Sequence, residues 1–324
     1  MRRLPLLRRC GALALALAAL LFPAAALAED PSAVPTGQLT AEALFAAAEQ
    51  PTCTPTERVC AAGRASLATS AYELRLKAAG CSIAAASASG CPAAADALAR
   101  LQRLLAADRA TAGDWNIDAQ NADLSGAQVD NYIDKTVADV GHSGCNATGP
   151  ICIAGQLVLW ADLDQLTRLQ PQCGADMTPE ACLQERKPRM VRVDHMSTDF
   201  VKHLLDQIGW PDPRVWGEDV EDKAWLLVQH ADDDPAFQHA ALKLIGDAAA
   251  KGAATGRDYA YLDDRLLVHD NRPQEFGTQG TCVDGEFKAR LIRDEADVDA
   301  RRKSMGLGPL VDYERQGSQM CGGR

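Results

Sequence analysis

The chain has 324 residues, with 44 acidic against 33 basic side chains and a formal net charge of −11. Nucleic acid and anionic membrane surfaces both demand a basic patch, and no Lys/Arg run or aromatic-basic interleaving supplies one, so both are excluded as expected partners. The length is sufficient for two domains with ordinary cores.

The chain opens on a basic start, an apolar run from Cys10 to Phe22 and the small-x-small ending Ala26-Leu27-Ala28. This is the pattern of a secretory signal peptide over residues 1–28, and it predicts a mature chain beginning near Glu29 in the periplasm or outside the cell. The apolar run is too short for a stable span, so no membrane span is expected once the leader is removed. Removing its four arginines, with no acidic residue lost, takes the formal charge from −11 to −15. Residues 29–39, with Pro31, Pro35 and Gly37, read as a flexible lead-in.

From residue 40 to residue 186 the pattern is a cysteine-containing helical repeat region. Thr40 is a fitting N-cap for an alanine-rich helix. Cys53-x2-Thr56-x3-Cys60-x-Ala62-Gly63 recurs 92 residues later as Cys145-x2-Thr148-x3-Cys152-x-Ala154-Gly155, and Cys81 and Cys91 are matched by Cys173 and Cys182. So many matched positions indicate duplicated units. The ten cysteines left after leader removal are an even set, as an oxidising compartment favours, and none has C-x2-C zinc spacing. The stretch from Cys60 to Cys81 is helix-forming. A continuous helix of about 20 residues spans about 30 Å, whereas a disulfide needs Cα atoms within about 7 Å. The expected bridges are therefore local: Cys53–Cys60, Cys81–Cys91, Cys145–Cys152 and Cys173–Cys182, with Cys282 joined to Cys321. A crossed arrangement such as Cys53–Cys91 is the alternative. Between the units one helix is expected near Val129 to Val137.

A second domain is expected over residues 187–324. Ser197 or Thr198 should cap a helix ending at Ile208, before Gly209 and Pro211. A helix from Glu218 to His230 packs through Trp225, Leu227 and Val228. Asp234-Pro235 starts a third, with Phe237, Ala241, Leu244, Ile245 and Ala248 on one face, and Gly252 ends it. A fourth runs from about Gly256 to His269. Asp284-Gly285 between two alternating runs predicts a β-hairpin, and two short helices close the chain. The fold class expected is mainly α: a disulfide-stapled helical repeat region, then a helical domain with one small hairpin.

Gly209-Trp210-Pro211, the run from Ala224 to Asp232, Asp234-Pro235, Phe237-Gln238, Tyr261-Leu262 with Asp264-Arg265, Gln274 with Phe276-Gly277-Thr278-Gln279, Arg301-Arg302 and Gly306-Leu307 give this domain its resemblance. Over residues 188–313 it resembles a bacterial domain-of-unknown-function family, numbered 6624. That family carries no established activity, and Phe276 stands where a tyrosine is usual.

The same domain carries the candidate chemical groups. His230 lies near a helix C-terminus, which favours its protonated form, and so it could serve as a general acid/base or simply cap the helix. Gln238 sits beside a buried stripe and must bond either a ligand or a turn. Arg265 could clamp a carboxylate or phosphate, or pair internally with Asp232 or Asp234. Gln274, Thr278 and Gln279 flank Gly277 on a loop suited to orienting a polar ligand. The usual nucleophile, metal and phosphate-loop motifs are absent from the sequence, so neither metal nor cofactor is expected. Two functions follow: an exported protein that binds a protein or a small polar ligand, or a hydrolase with His230 as base and Gln238, Arg265, Thr278 and Gln279 holding the substrate.

Overall fold

The computed structural model describes residues 40–51, 53–54, 57–81, 91–112, 124–142, 149–169 and 177–321. The leader, the lead-in, Cys145 and Cys173 lie outside them. The chain forms two compact units, Met1–Leu227 and Val228–Arg324.

The first unit is helical throughout its described parts: α1 (Ala41–Glu49), α2 (Arg58–Ala78), α3 (Ala95–Ala112), α4 (Gly126–His142), α5 (Pro150–Leu169), α6 (Pro179–Ile208), α7 (Pro213–Trp216) and most of α8 (Glu218–Gln229). The cysteine repeat is thus a repeat of three helices, α1 to α3 and α4 to α6, with α2 and α5 as the central pair. Thr40 caps α1 by accepting the N–H of Ala43.

Alanine and glycine let α2 be buried on nearly every side and let α5 approach it closely. A Cβ added at Gly63 would lie 1.9 Å from the Ile151 carbonyl oxygen, and one added at Gly155 would lie 1.9 Å from that of Val59. Gly63 and Gly155 are repeat-equivalent, and so are Val59 and Ile151. The two central helices therefore cross reciprocally, like the isologous interface of a two-fold dimer built within one chain. Val59, Ala62, Val158 and Leu159 pack as a core at this crossing, with Val140 against them.

The disulfides close locally. Cys53–Cys60 pins the segment before α2 to its first turn, with Cα atoms 5.8 Å apart, and Cys81–Cys91 closes the connection after it at 6.1 Å. The unbroken α2 holds Cys60 and Cys81 apart, as the helix-length argument requires. Cys152 and Cys182 are also disulfide-bonded.

α6 departs from expectation. It is a single helix of 30 residues, capped by Thr178 and not by Ser197 or Thr198, which lie inside it. The boundary expected at Lys187 falls within this helix, beside Pro188. An internal proline costs a helix about 3 kcal/mol, and here anchors on the neighbouring turns oppose it. Arg189 grips Asp130 of α4 through two hydrogen bonds of 2.9 and 3.0 Å. Arg192 pairs with Asp134 of α4, and Arg168 of α5 pairs with Asp194.

The second unit holds α9 (Pro235–Ala249), α10 (Gly256–His269), β1 (Gly280–Val283), β2 (Glu286–Ala289), α11 (Val298–Ser304) and α12 (Leu310–Cys321). Asp234 caps α9 by accepting the N–H of Phe237, with Pro235 in its first turn. Asp284 and Gly285 both take positive φ, the backbone of a type I′ hairpin turn. Four residue pairs register the antiparallel strands, from Gly280↔Ala289 to Val283↔Glu286. α12 covers the outer edge of β2, where Ser318 and Glu314 accept the N–H groups of Phe287 and Ala289. Cys282–Cys321 ties β1 to the end of α12. Among the described residues no helix is long and apolar enough to cross a membrane.

Candidate functional site

The loop from Gln274 to Gln279 is organised around one carboxylate, that of Asp264 on α10. Ala260, Asp264 and Leu267, at i, i+4 and i+7, share the buried stripe of that helix, and Asp264 is wholly buried. Its Oδ1 accepts the N–H groups of Glu275 at 2.8 Å and Phe276 at 3.0 Å, and its Oδ2 accepts that of Thr278 at 2.8 Å. Burial raises the Asp264 pKa above the ordinary carboxylate value, and these donors oppose the rise.

The rest of the loop is held with equal completeness. Gln274, also wholly buried, donates to the carbonyls of Gln279 and Arg290 and accepts the Gln279 N–H at 2.6 Å. Its own N–H and carbonyl bond Leu291 and Arg293. Arg301 donates to the Glu275 carbonyl, Arg302 to that of Phe276, and the Tyr313 hydroxyl to that of Thr278. Gly277 has φ +66°, and a Cβ there would lie 2.7 Å from the Ile292 side chain, so glycine is required on both counts. Thr278 Oγ1 accepts from the Gln279 amide.

A second constellation forms around Asp232. Arg265, next to Asp264 on α10, donates to both oxygens of this carboxylate at 2.7 and 2.6 Å. Gln238 is buried and donates to the carbonyls of Val228 and Gln229, the last turn of α8. Burial would raise the Asp232 pKa, but hydrogen bonds from Arg265 and the charges of Arg265 and His230 hold it below the ordinary value. His230 thus stands close to Asp232 and half-buried. The predicted residues therefore fall into two sets, His230, Gln238 and Arg265 around Asp232, and Gln274, Thr278 and Gln279 around Asp264. Among the described residues no group of three His, Cys, Asp or Glu side chains is placed to hold a metal ion.

A family model described as a family of unknown function, DUF6624, matches residues 153–322. The chain belongs to this family. No curated protein and no solved structure matches it.

The DUF6624 match starts upstream of the expected Pro188, inside α5, so it takes in the later part of the second repeat as well as the C-terminal unit up to residue 322. Much of the recognisable DUF6624 pattern now has a physical role: Asp264, Gln274, Gly277, Arg301 and Arg302 all serve the loop. Arg301, Arg302 and Tyr313 were not among the sequence candidates, since their partners are backbone carbonyls distant in the chain. Asp264 had a visible signal in its place on an otherwise apolar helix stripe.

The first unit carries a third polar cluster, where the start of α8 meets α2 and α5. Ser66 of α2 donates to Asp219 Oδ2 at 2.5 Å, and Lys223 donates to Asp219 Oδ1 at 2.7 Å. Asp162 of α5 has a buried Oδ2 without a hydrogen-bond partner among the described residues. Burial pushes its pKa up to about 7, with Lys223 pulling it down and Asp219 pushing it up. Glu218 is pushed up to about 9 by burial and by the charge of Glu73 on α2. The signal in the sequence was a polar stripe, Ser66, Ser70, Glu73 and Lys77, at helical spacing in an otherwise alanine-rich segment.

Proposed function

We propose that this is an exported interaction protein of the periplasm or cell exterior, whose C-terminal unit, held rigid from within by the largely buried Gln274–Gln279 loop, meets a protein or a small polar ligand. The carrying observation is that five of the six loop residues have both backbone polar groups bonded within the unit. A loop fixed before binding loses little conformational entropy on association. Arg265 and Gln238 direct their donors at protein acceptors, which favours support of the fold over the holding of a substrate. The leader pattern, the bridged cysteines and the absence of a spanning helix among the described residues all fit export.

One observation favours the hydrolase reading, the closeness of His230 to Asp232, a histidine-carboxylate arrangement suited to proton transfer. Two measurements separate the readings. The secreted protein should begin at Glu29 and, unfolded without reductant, show no thiol reactive towards a thiol reagent; a retained leader or free thiols would count against export and pairing. The wild type should leave chromogenic esters, amides, phosphates and glycosides unhydrolysed. Turnover of any of them that His230→Ala abolishes, with the melting temperature unchanged, would establish the enzyme instead.

A further inference from the structure

We infer that the joint between α7 and α8 is a pH-operated latch, in which carboxyl groups crowded across the docking face of α8 hold it on α2 and α5 only while they retain protons.

The chain passes close to α2 as it enters α8. Gly217, at φ +90°, turns the chain from α7 into α8, and a Cβ added there would lie 2.8 Å from Ser70 Oγ on α2. Immediately afterwards, α8 presents Glu218, Asp219, Glu221, Asp222 and Lys223. Facing them are Ser66, Ser70, Glu73 and Lys77 of α2 and Asp162 of α5, with Arg58 of α2 adding its charge to Asp162. Arg58 is itself ion-paired with Asp139 of α4 and stacks over Tyr132, whose hydroxyl feels the charge of Asp162. Trp210 Nε1, ahead of α7, donates to Glu221, and Asp212, the N-cap of α7, pairs with Arg214 in its first turn. Glu218 thus feels the like charges of Glu73, Asp222 and Glu221 against that of Lys77, and Asp162 feels that of Asp219 against those of Lys223 and Arg58.

Where burial strips water from Asp162 and Glu218, like charges beside them make ionisation costly. Asp219 is the exception, because Lys223 and Ser66 satisfy it, and its pKa stays below the ordinary value despite burial. Asp162 and Glu218 take the other course, with pKa values raised to about 7 and about 9 from 3.8 and 4.5. A carboxyl whose folded pKa is raised binds more protons when docked than when released. Its contribution to docking is complete below the ordinary pKa and is lost as pH rises through the folded value. The joint should therefore be firm at about pH 6 and loosen towards about pH 9.5.

The test is hydrogen exchange of the full mature chain, read by mass spectrometry on peptides covering residues 217–227 and corrected for the intrinsic pH dependence of exchange. Protection of this segment should fall by about tenfold or more between about pH 6 and pH 9.5, while peptides from α5 keep theirs. Glu218→Gln and Asp162→Asn should each shrink the fall, since a neutral amide cannot ionise. Glu218 is half-buried at the edge of the joint, so Glu218→Gln carries the test if Asp162→Asn does not fold. Protection that is flat with pH would overturn the latch. So would a fall shared equally by α5, or one unaltered in Glu218→Gln.

Discussion

Gly63→Ala should destabilise the first unit by about 3–5 kcal/mol, or prevent its folding, and Gly155→Ala should do the same. The new methyl carbon would lie 1.9 Å from a backbone carbonyl oxygen in either variant, and a backbone oxygen in a packed helix cannot turn aside as a long side chain does. The only relief is for α2 and α5 to move apart, which would open the core formed by Val59, Ala62, Val158 and Leu159. Gly141 is the control, because an added Cβ in that part of α4 meets nothing within 4 Å. Gly141→Ala should be neutral or stabilise by up to about 1 kcal/mol through helix propensity. Denaturant midpoints of the three variants read both effects. If Gly63→Ala were as mild as Gly141→Ala, the close reciprocal crossing would be wrong.

Asp264→Ala should cost the C-terminal unit about 3–5 kcal/mol, the largest effect expected among its side chains. The substitution strands the N–H groups of Glu275, Phe276 and Thr278 in a buried place, and each stranded donor costs about 1–3 kcal/mol before the loop relaxes. Relaxation is limited, because Gln274, Arg301, Arg302 and Tyr313 hold the opposite polar groups of the same loop. Asp264→Asn should fall between Ala and wild type, since one oxygen still accepts while the amide NH2 faces a donor. Thermal melts give the order directly; equal melting of all three would mean that the loop does not depend on this carboxylate.

Features encoded over a few residues were legible before the structure. The Asp234-Pro235 start of α9, the Asp284-Gly285 turn and the Thr40 cap each act within their own turn of chain. Helix length excluded Cys60–Cys81 and favoured the local bridges Cys53–Cys60 and Cys81–Cys91 over a crossed arrangement, and the repeat pointed to Gly63 and Gly155. What could not be read was their purpose, because a close helix crossing appears only when two segments 92 residues apart are brought together. The continuity of α6 was hidden by Pro188, a local signal overruled by ion pairs to α4. In the candidate site, the residues of interest were legible but their roles were not. Gln238, Arg265 and Gln274 have the composition of a binding site, yet their hydrogen bonds run to Val228, Asp232 and Gln279. Asp264, which orders half of that arrangement, sits among apolar neighbours on α10 and shows its partners only in three dimensions.

The C-terminal unit can act as a preformed binding module only if the Gln274–Gln279 loop is fixed before anything binds. Amide exchange resolved residue by residue by NMR, on the ligand-free mature protein, tests this most directly. The N–H groups of Glu275, Phe276, Thr278 and Gln279 should exchange at rates set by opening of the whole C-terminal unit, as slowly as those in the middle of α10. Exchange of these four at the rate of an exposed loop would contradict the account.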